Sequence, residues 1–105
     1  YGLVGSEMCI RDRLQRMEGA LLGSVDVSAG KAYTANAFQM PTHELGQAAR
    51  PDGPLYGIDA SAPGKIVLFG GGFPYVVNGE VVGGIGVSGG TVEQDMDIAW
   101  YAMSL

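Results

Sequence analysis

The sequence predicts an α/β domain of the α+β kind, in which helices pack on an antiparallel sheet. Its periodic segments follow the order helix, helix, strand, strand, strand, helix, which implies a sheet covered by helices. An Asn78-Gly79 dipeptide between two β-branched runs adds a β-hairpin to that sheet. The 105 residues, 47% of them apolar and 16% charged, suffice for one small domain with a modest core.

Residues 23–38 are predicted to form the first helix. Ser24 stands where an N-cap is expected, and Gly30 costs up to about 1 kcal/mol relative to Ala, which indicates tight packing at that turn. The residues that recur on one side at steps of three and four are Val25, Ala29, Ala32 and Asn36. This small-residue face predicts a helix that lies close to the sheet.

A second, short helix and a loop come next. Thr42 is the N-cap candidate for a helix over residues 43–50. Residues 51–64 contain three prolines and three glycines, so we expect a loop with at most a short extended piece.

Three strands and a last helix complete the fold. The β-branched and aromatic runs at 65–70, 73–77 and 80–89 are bounded by glycine. Asn78-Gly79 predicts a type I′ turn that pairs Val76 and Val77 with Val81 and Val82. Thr91 and Gln94 form a capping-box pattern before residues 92–105, whose apolar residues repeat at helical spacing. Those residues are Met96, Ala99, Trp100 and Met103.

Charge and composition exclude several classes of function. Six Lys and Arg against eleven Asp and Glu give a net charge of −5, which argues against nucleic acid as a partner. No apolar run approaches the roughly 20 residues of a membrane span, and the start lacks the order of a secretory signal. By default we expect a soluble, cytoplasmic chain. The single cysteine, Cys9, excludes an intramolecular disulfide.

The first 13 residues differ in composition from the rest. They contain GSEMCIRDR, which resembles a stretch that precedes unrelated metagenomic proteins and is attributed to translated adapter. We expect residues 1–13 to be a non-native or disordered leader and residues 14–105 to be the domain. Deleting the leader should change the midpoint of thermal unfolding no more than a substitution at the surface does. The alternative is a poorly ordered native tail.

The stretch Gly84–Gly89 matches the dinucleotide pattern G-x-G-x-x-G, but its context does not fit. It lies in the second arm of a hairpin, and no βαβ unit surrounds it. Glycine at 84 and 86 instead removes Cβ atoms from one strand face, so that a helix, a partner subunit or a flat ligand can approach the backbone. The free amides of the turn before Thr91 offer a place for an anion.

Few side chains suit chemistry. His43 is the only histidine, which excludes a multi-His metal site and leaves either a lone axial ligand or an exposed helix residue. Lys31 meets a carboxylate or propionate, or is solvated with its stem packed down. Glu93, Asp95 and Asp97 form a cation site or, as their scatter around the helix favours, simply complement its N-terminal dipole.

Several ordered motifs resemble those of the GlcG/HbpS heme-binding family, also called heme-degrading. The matching positions lie within residues 14–105 and comprise Arg16–Ala20 with Glu18 in place of Asp, Lys31, Ala32, Thr34, Ala35, Gly71, Gly72, Pro74, Gly84–Gly89 and Asp95. The resemblance implies a profilin-like α/β domain, homo-oligomers, and heme binding or breakdown in some members. Because members carry a long helix and a strand before the first motif, residues 14–105 are expected to be a partial domain.

Three hypotheses follow from this resemblance, and the third is that the partial domain alone has no function. In the first, the chain binds heme, with or without degrading it, through residues in the matched motifs and the lone histidine. The candidate heme-binding residues are His43, Lys31, Gly71, Gly72, Phe73, Pro74, Gly84 and Gly86. In the second, the chain is a non-enzymatic accessory or sensor domain that binds a small anion or a protein partner in the same cleft. The sequence assigns no reaction and no catalytic residue.

Overall fold

The structure, a computed structural model, describes residues 2–4, 14–16 and 23–104. In these ranges four strands form one antiparallel sheet of order β2-β1-β4-β3. The strands are β1 (Gly2–Val4), β2 (Leu14–Arg16), β3 (Gly72–Val77) and β4 (Glu80–Ser88). The helices are α1 (Gly23–Phe38), α2 (Thr42–Ala48) and α3 (Val92–Met103). This architecture confirms the α+β class predicted from the order of the segments.

The β3–β4 hairpin and its turn form as predicted, except that Val77 lies opposite Glu80 and not opposite a valine. Asn78 has φ 53° and Gly79 has φ 81°, which are the left-handed conformations that a type I′ turn requires. Val76 lies opposite Val81, and the register then shifts between Val76 and Tyr75. The shift is a bulge, which increases the local twist of the hairpin.

One face of the hairpin is covered by α1. A Cβ atom on Gly84 would overlap the carbonyl oxygen of Ala32, and one on Gly86 would overlap that of Ser28. The helix backbone therefore lies directly against the strand backbone, and only glycine permits this approach. The close approach of a small-residue face is confirmed at Ala32, which is 5% exposed, but the predicted face is only partly right because Ala29 is exposed and Ser28 meets the strand instead.

The opposite face is covered by α3. Phe73, Val87 and Ala99 form the buried apolar cluster of the described residues, and Ile85 and Met103 pack against it. Since neighbouring residues of a strand point to opposite faces, the hairpin lies between α1 and α3. The predicted capping box of α3 is present, with Thr91 as N-cap and Gln94 as its partner.

Three local predictions are wrong. Residues 65–70 form no strand, because the Val67 amide donates to the Thr34 hydroxyl at 2.9 Å and the segment lies against α1 and α2. Ser24 lies inside α1 rather than before it. Thr42 is the first residue of α2, whose N-cap is Pro41 without a side-chain hydrogen bond.

The loop over residues 51–64 is confirmed, with a 3₁₀ turn at Ile58–Ser61. Among the helices that the structure describes, none is long and apolar enough to cross a membrane.

The leader and the first motif are only partly described. Gly2–Val4 pairs with both β2 and β4, and the assignment of residues 1–13 as a leader stays a prediction. The rest of that prediction, Cys9 and residues 17–20 of the first motif lie outside the described residues. Deletion of residues 1–13 is the experiment that decides this boundary.

Candidate functional site

Lys31 and Asp95 form a buried ion pair. The Lys31 Nζ atom donates to Asp95 Oδ2 at 3.2 Å and to the carbonyl oxygen of Val87 at 2.8 Å. The side chains of the pair are 0% and 4% exposed. The expectation of a solvated lysine is therefore wrong, and the carboxylate that Lys31 meets belongs to its own chain.

Gly71 makes room for this ion pair. Its φ of 124° favours glycine, and a Cβ atom there would lie 2.6 Å from the Lys31 Nζ atom. The Val87 amide donates to the Gly71 carbonyl at 2.9 Å, while the Val87 carbonyl on the same side of the strand accepts from the ammonium group. Lys31 thus satisfies the carbonyl group of Val87, next to the last residue of β4.

Burial lowers the pKa of Lys31 below its usual value, because the charged form loses its hydration. The hydrogen bond and the charge of Asp95 act in the opposite direction. Phe69, which is 49% exposed, lies over the ammonium group with its ring centroid 4.9 Å from Nζ. This cation–π contact places an aromatic ring between the ion pair and the surface.

Two amides of the turn before α3 are bound by side chains of that helix. The Gly90 amide donates to Asp95 Oδ1 and the Thr91 amide to Gln94 Oε1, each at 3.0 Å. A carboxylate of the protein therefore stands where the sequence suggested an external anion. Of the three acids on this helix, Asp95 is buried in the ion pair, whereas Glu93 and Asp97 are exposed. The residues that the structure describes include no group of metal-ligating side chains.

His43, Phe73 and Trp100 form an aromatic cluster. The ring centroids of His43 and Phe73 are 5.8 Å apart, and those of Phe73 and Trp100 are 5.6 Å apart, both edge to face. Phe73 is buried, His43 is half-buried and Trp100 is 58% exposed. Three elements, α2, β3 and α3, therefore bring one ring each to the same place.

The His43 Nδ1 atom is buried and has no hydrogen-bond partner among the described residues. Such an atom is uncommon in folded proteins and calls for a partner that the described residues do not supply. An imidazole nitrogen is also the most common protein ligand of a metal ion. The cluster thus combines a ligand-type side chain with exposed aromatic surface.

The predicted site residues fall into three places. His43 and Phe73 meet in the aromatic cluster. Lys31, Gly71 and Gly72 are buried between the helices, with Pro74 next to Phe73 on β3. Gly84 and Gly86 lie against the backbone of α1. Their contribution to a ligand site stays a prediction.

Sequence reasoning missed three participants. The position of Asp95 in the first turn of α3 predicts only a charge that complements the helix dipole, and no local pattern indicates that Lys31 reaches it. Thr42 was assigned to capping, although its hydroxyl accepts from the Gly72 amide at 3.0 Å. The spacing of Trp100 predicts an apolar position of α3, and no local signal indicates that its ring meets Phe73.

The fold and site define a small α+β domain with a glycine-lined sheet. The family model that matches residues 13–104 is described as "Haem degrading protein HbpS-like". The chain belongs to this HbpS-like family.

Curated relatives are longer than this chain. It is 48% identical over 90 residues to an uncharacterised 15.0 kDa protein of the dhaT-dhaS intergenic region in Citrobacter freundii, covering 86% of this chain and 63% of that protein. It is 47% identical over 89 residues to the corrinoid adenosyltransferase PduO of Salmonella typhimurium, covering 85% of this chain and 26% of PduO. The match thus spans about a quarter of the transferase.

Solved structures share the fold. A structure described as a PduOC:heme complex superimposes with a TM-score of 0.90 at 40% identity, covering 98% of this chain and 75% of that one. Klebsiella pneumoniae protein ORFY gives 0.87 at 39% identity, with coverages of 98% and 73%. A double mutant of Streptomyces reticuli HbpS gives 0.81 at 27% identity, with coverages of 98% and 68%.

Proposed function

We propose that this chain binds heme and that His43 is the iron ligand. The observation that carries the proposal is the similarity to the PduOC:heme complex, with a TM-score of 0.90 over 98% of this chain. The similarity is one of fold and sequence, so the place of the ligand is argued from the side chains.

The aromatic cluster fits the chemistry of heme. Heme presents a flat apolar macrocycle and an iron that accepts an imidazole ligand. His43 is half-buried and its Nδ1 atom has no described partner, while Trp100 offers exposed aromatic surface two ring contacts away. The chain's residues would bind the macrocycle and orient the imidazole, and the bound heme would supply redox chemistry.

The buried ion pair has a different role in this proposal. Lys31 was a candidate partner for a heme propionate, but its ammonium group is engaged by Asp95 and Val87 and is 0% exposed. We propose that Lys31, Gly71 and Gly72 support the segment that leads into Phe73 and Pro74. Their contribution to heme binding is therefore indirect.

A hemin titration of the full chain tests the proposal. We expect a shifted Soret band that saturates at a fixed stoichiometry for the unaltered protein and is lost in His43→Ala. Gln47→Ala is the matched control, because it removes an exposed polar side chain one turn along the same helix. Broad, non-saturating absorbance in the unaltered protein would refute heme binding, and saturable binding by His43→Ala would refute the ligand assignment.

Degradation and self-association are finer parts of the proposal. The family description supports heme breakdown, and the same hemin-loaded sample, given a reductant and oxygen, should then lose its Soret band faster than free hemin does. Homo-oligomers, which the resemblance implies, would elute ahead of a 10.9 kDa standard in a sizing run.

A further inference from the structure

Thr42 connects the two backbones that carry the His43–Phe73 contact. Its hydroxyl oxygen accepts a hydrogen bond from the Gly72 amide at 3.0 Å, and its side chain is fully buried. His43 directly follows Thr42, and Phe73 directly follows Gly72. The hydrogen bond therefore joins α2 to β3 one residue before the two rings meet.

The close approach at this point depends on Gly72. A Cβ atom there would lie 2.6 Å from the Thr42 methyl carbon and 2.7 Å from the carbonyl oxygen of Lys31. Thr42 thus contacts the strand through its methyl group as well as through its hydroxyl group. The hydrogen bond therefore sets the approach of α2 to β3, and Gly72 leaves the space that the methyl group occupies.

The start of α2 has no side-chain cap of its own. Pro41 occupies the N-cap position without a side-chain hydrogen bond, so the hydroxyl of Thr42 is directed to the strand and not to the helix amides. A helix of seven residues has little intrinsic stability, and its placement depends on tertiary contacts.

We infer that Thr42 is a positioning residue for the heme site, which holds the imidazole of His43 against Phe73. The inference rests on the proposed function. Groups that orient a metal ligand without touching the metal commonly affect affinity strongly, because they fix the ligand's ring before binding.

Thr34 provides a matched control. It is also a fully buried threonine, and its hydroxyl accepts from the Val67 amide at 2.9 Å and donates to the Gly30 carbonyl at 2.7 Å. It lies on α1, which contributes no ring to the aromatic cluster. Thr42→Val and Thr34→Val each leave a backbone amide without its hydroxyl acceptor, whereas Thr42→Ser retains the hydroxyl.

Proton NMR of the heme-free protein gives the first test. His43 is the only histidine, so its ring signals are identified by their loss in His43→Ala. In Thr42→Val we expect these signals to lose the ring-current shift imposed by Phe73, whereas Thr34→Val and Thr42→Ser retain it. Unchanged His43 signals in folded Thr42→Val would overturn the inference.

Hemin affinity gives the second test. We expect Kd to rise about tenfold or more in Thr42→Val relative to Thr34→Val, compared at equal folded fraction. Equal Kd values in these two variants would overturn the inference. If the unaltered chain does not bind hemin at all, the proposed function fails, while the NMR comparison still decides whether Thr42 positions His43.

Hydrogen exchange of the unaltered protein covers the case in which Thr42→Val does not fold. The Gly72 amide should exchange as slowly as the amides of the paired β3–β4 ladder. Rapid exchange at Gly72 would show that the bond to Thr42 does not persist, and the inference would be wrong.

Discussion

Lys31 and Asp95 connect helices that lie on opposite faces of the sheet, with 3.2 Å between Nζ and Oδ2. The lysine belongs to α1, which covers the glycine face, and the aspartate to α3, which covers the apolar face. The connection passes Gly71, where the absence of a side chain leaves room for the ammonium group. The ion pair therefore fixes the two helices relative to each other.

Breaking this pair on one side should be strongly destabilising. Lys31→Met leaves the buried Asp95 carboxylate and the Val87 carbonyl without their partner, and we expect a loss of about 3–5 kcal/mol in the free energy of unfolding. The double variant Lys31→Met/Asp95→Leu should recover part of this loss, because no unpaired charge remains. Chemical denaturation of the unaltered protein, Lys31→Met, Asp95→Leu and the double variant measures the coupling between the two residues. Losses in the free energy of unfolding that simply add would contradict this coupling.

The lowered pKa of Lys31 also predicts a pH dependence of stability. In the window between the folded pKa and the usual value of 10.5, the unfolded chain binds more protons at this group than the folded chain does. The contribution of Lys31 to the free energy of unfolding should therefore rise with pH through this window and be lost as pH falls through the folded pKa. Denaturation of the unaltered protein and of Lys31→Met at several alkaline pH values isolates the contribution of Lys31. If the free energy of unfolding depends on pH in the same way in both proteins, the prediction is wrong.

Gly86→Val tests whether the glycine face serves packing or ligand binding. We expect overpacking against α1 to cost roughly 1–3 kcal/mol, with hemin binding reduced only in proportion to unfolding. A folded variant that loses hemin binding or assembly would favour a ligand or subunit surface instead. A melt, a hemin titration and a sizing run on the same sample separate these outcomes, and a variant that is normal in all three would contradict both interpretations.

The capping box of α3 should contribute measurably to stability. Thr91→Ala removes the hydroxyl that accepts from the Gln94 amide at 3.1 Å, and we expect a loss of about 1 kcal/mol. Thr91→Ser retains the acceptor and should lie close to the unaltered protein. A Thr91→Ala melt that matches the serine variant would show that the cap does not stabilise the helix.

Local signals predicted much of this fold. The Asn78-Gly79 turn and the Thr91–Gln94 box depend on residues close together in the sequence, so their geometry follows from local chemistry alone. The segment 65–70 has the composition of a strand, yet its Val67 amide is taken by a threonine hydroxyl of α1. That competition is between distant residues, and composition cannot reveal it.

The site was less predictable for the same reason. The sequence singled out His43 and Phe73 separately, but their contact depends on the bond between Thr42 and Gly72, 30 residues apart. Lys31 and Asp95 are 64 residues apart, and nothing in either local pattern indicates the partner. The fold class follows from periodicity, whereas these pairings require the tertiary arrangement.

The seclusion of Lys31 has a practical consequence for handling the molecule. The sequence contains two lysines, and the other, Lys65, is exposed, with its ammonium group 5.8 Å from the ring centroid of Tyr33. Of the two lysine side chains, reagents that acylate amines should therefore modify Lys65 and spare Lys31. Coupled to a surface through Lys65, the protein would be oriented by a single side chain, with the ion pair that joins its helices left intact.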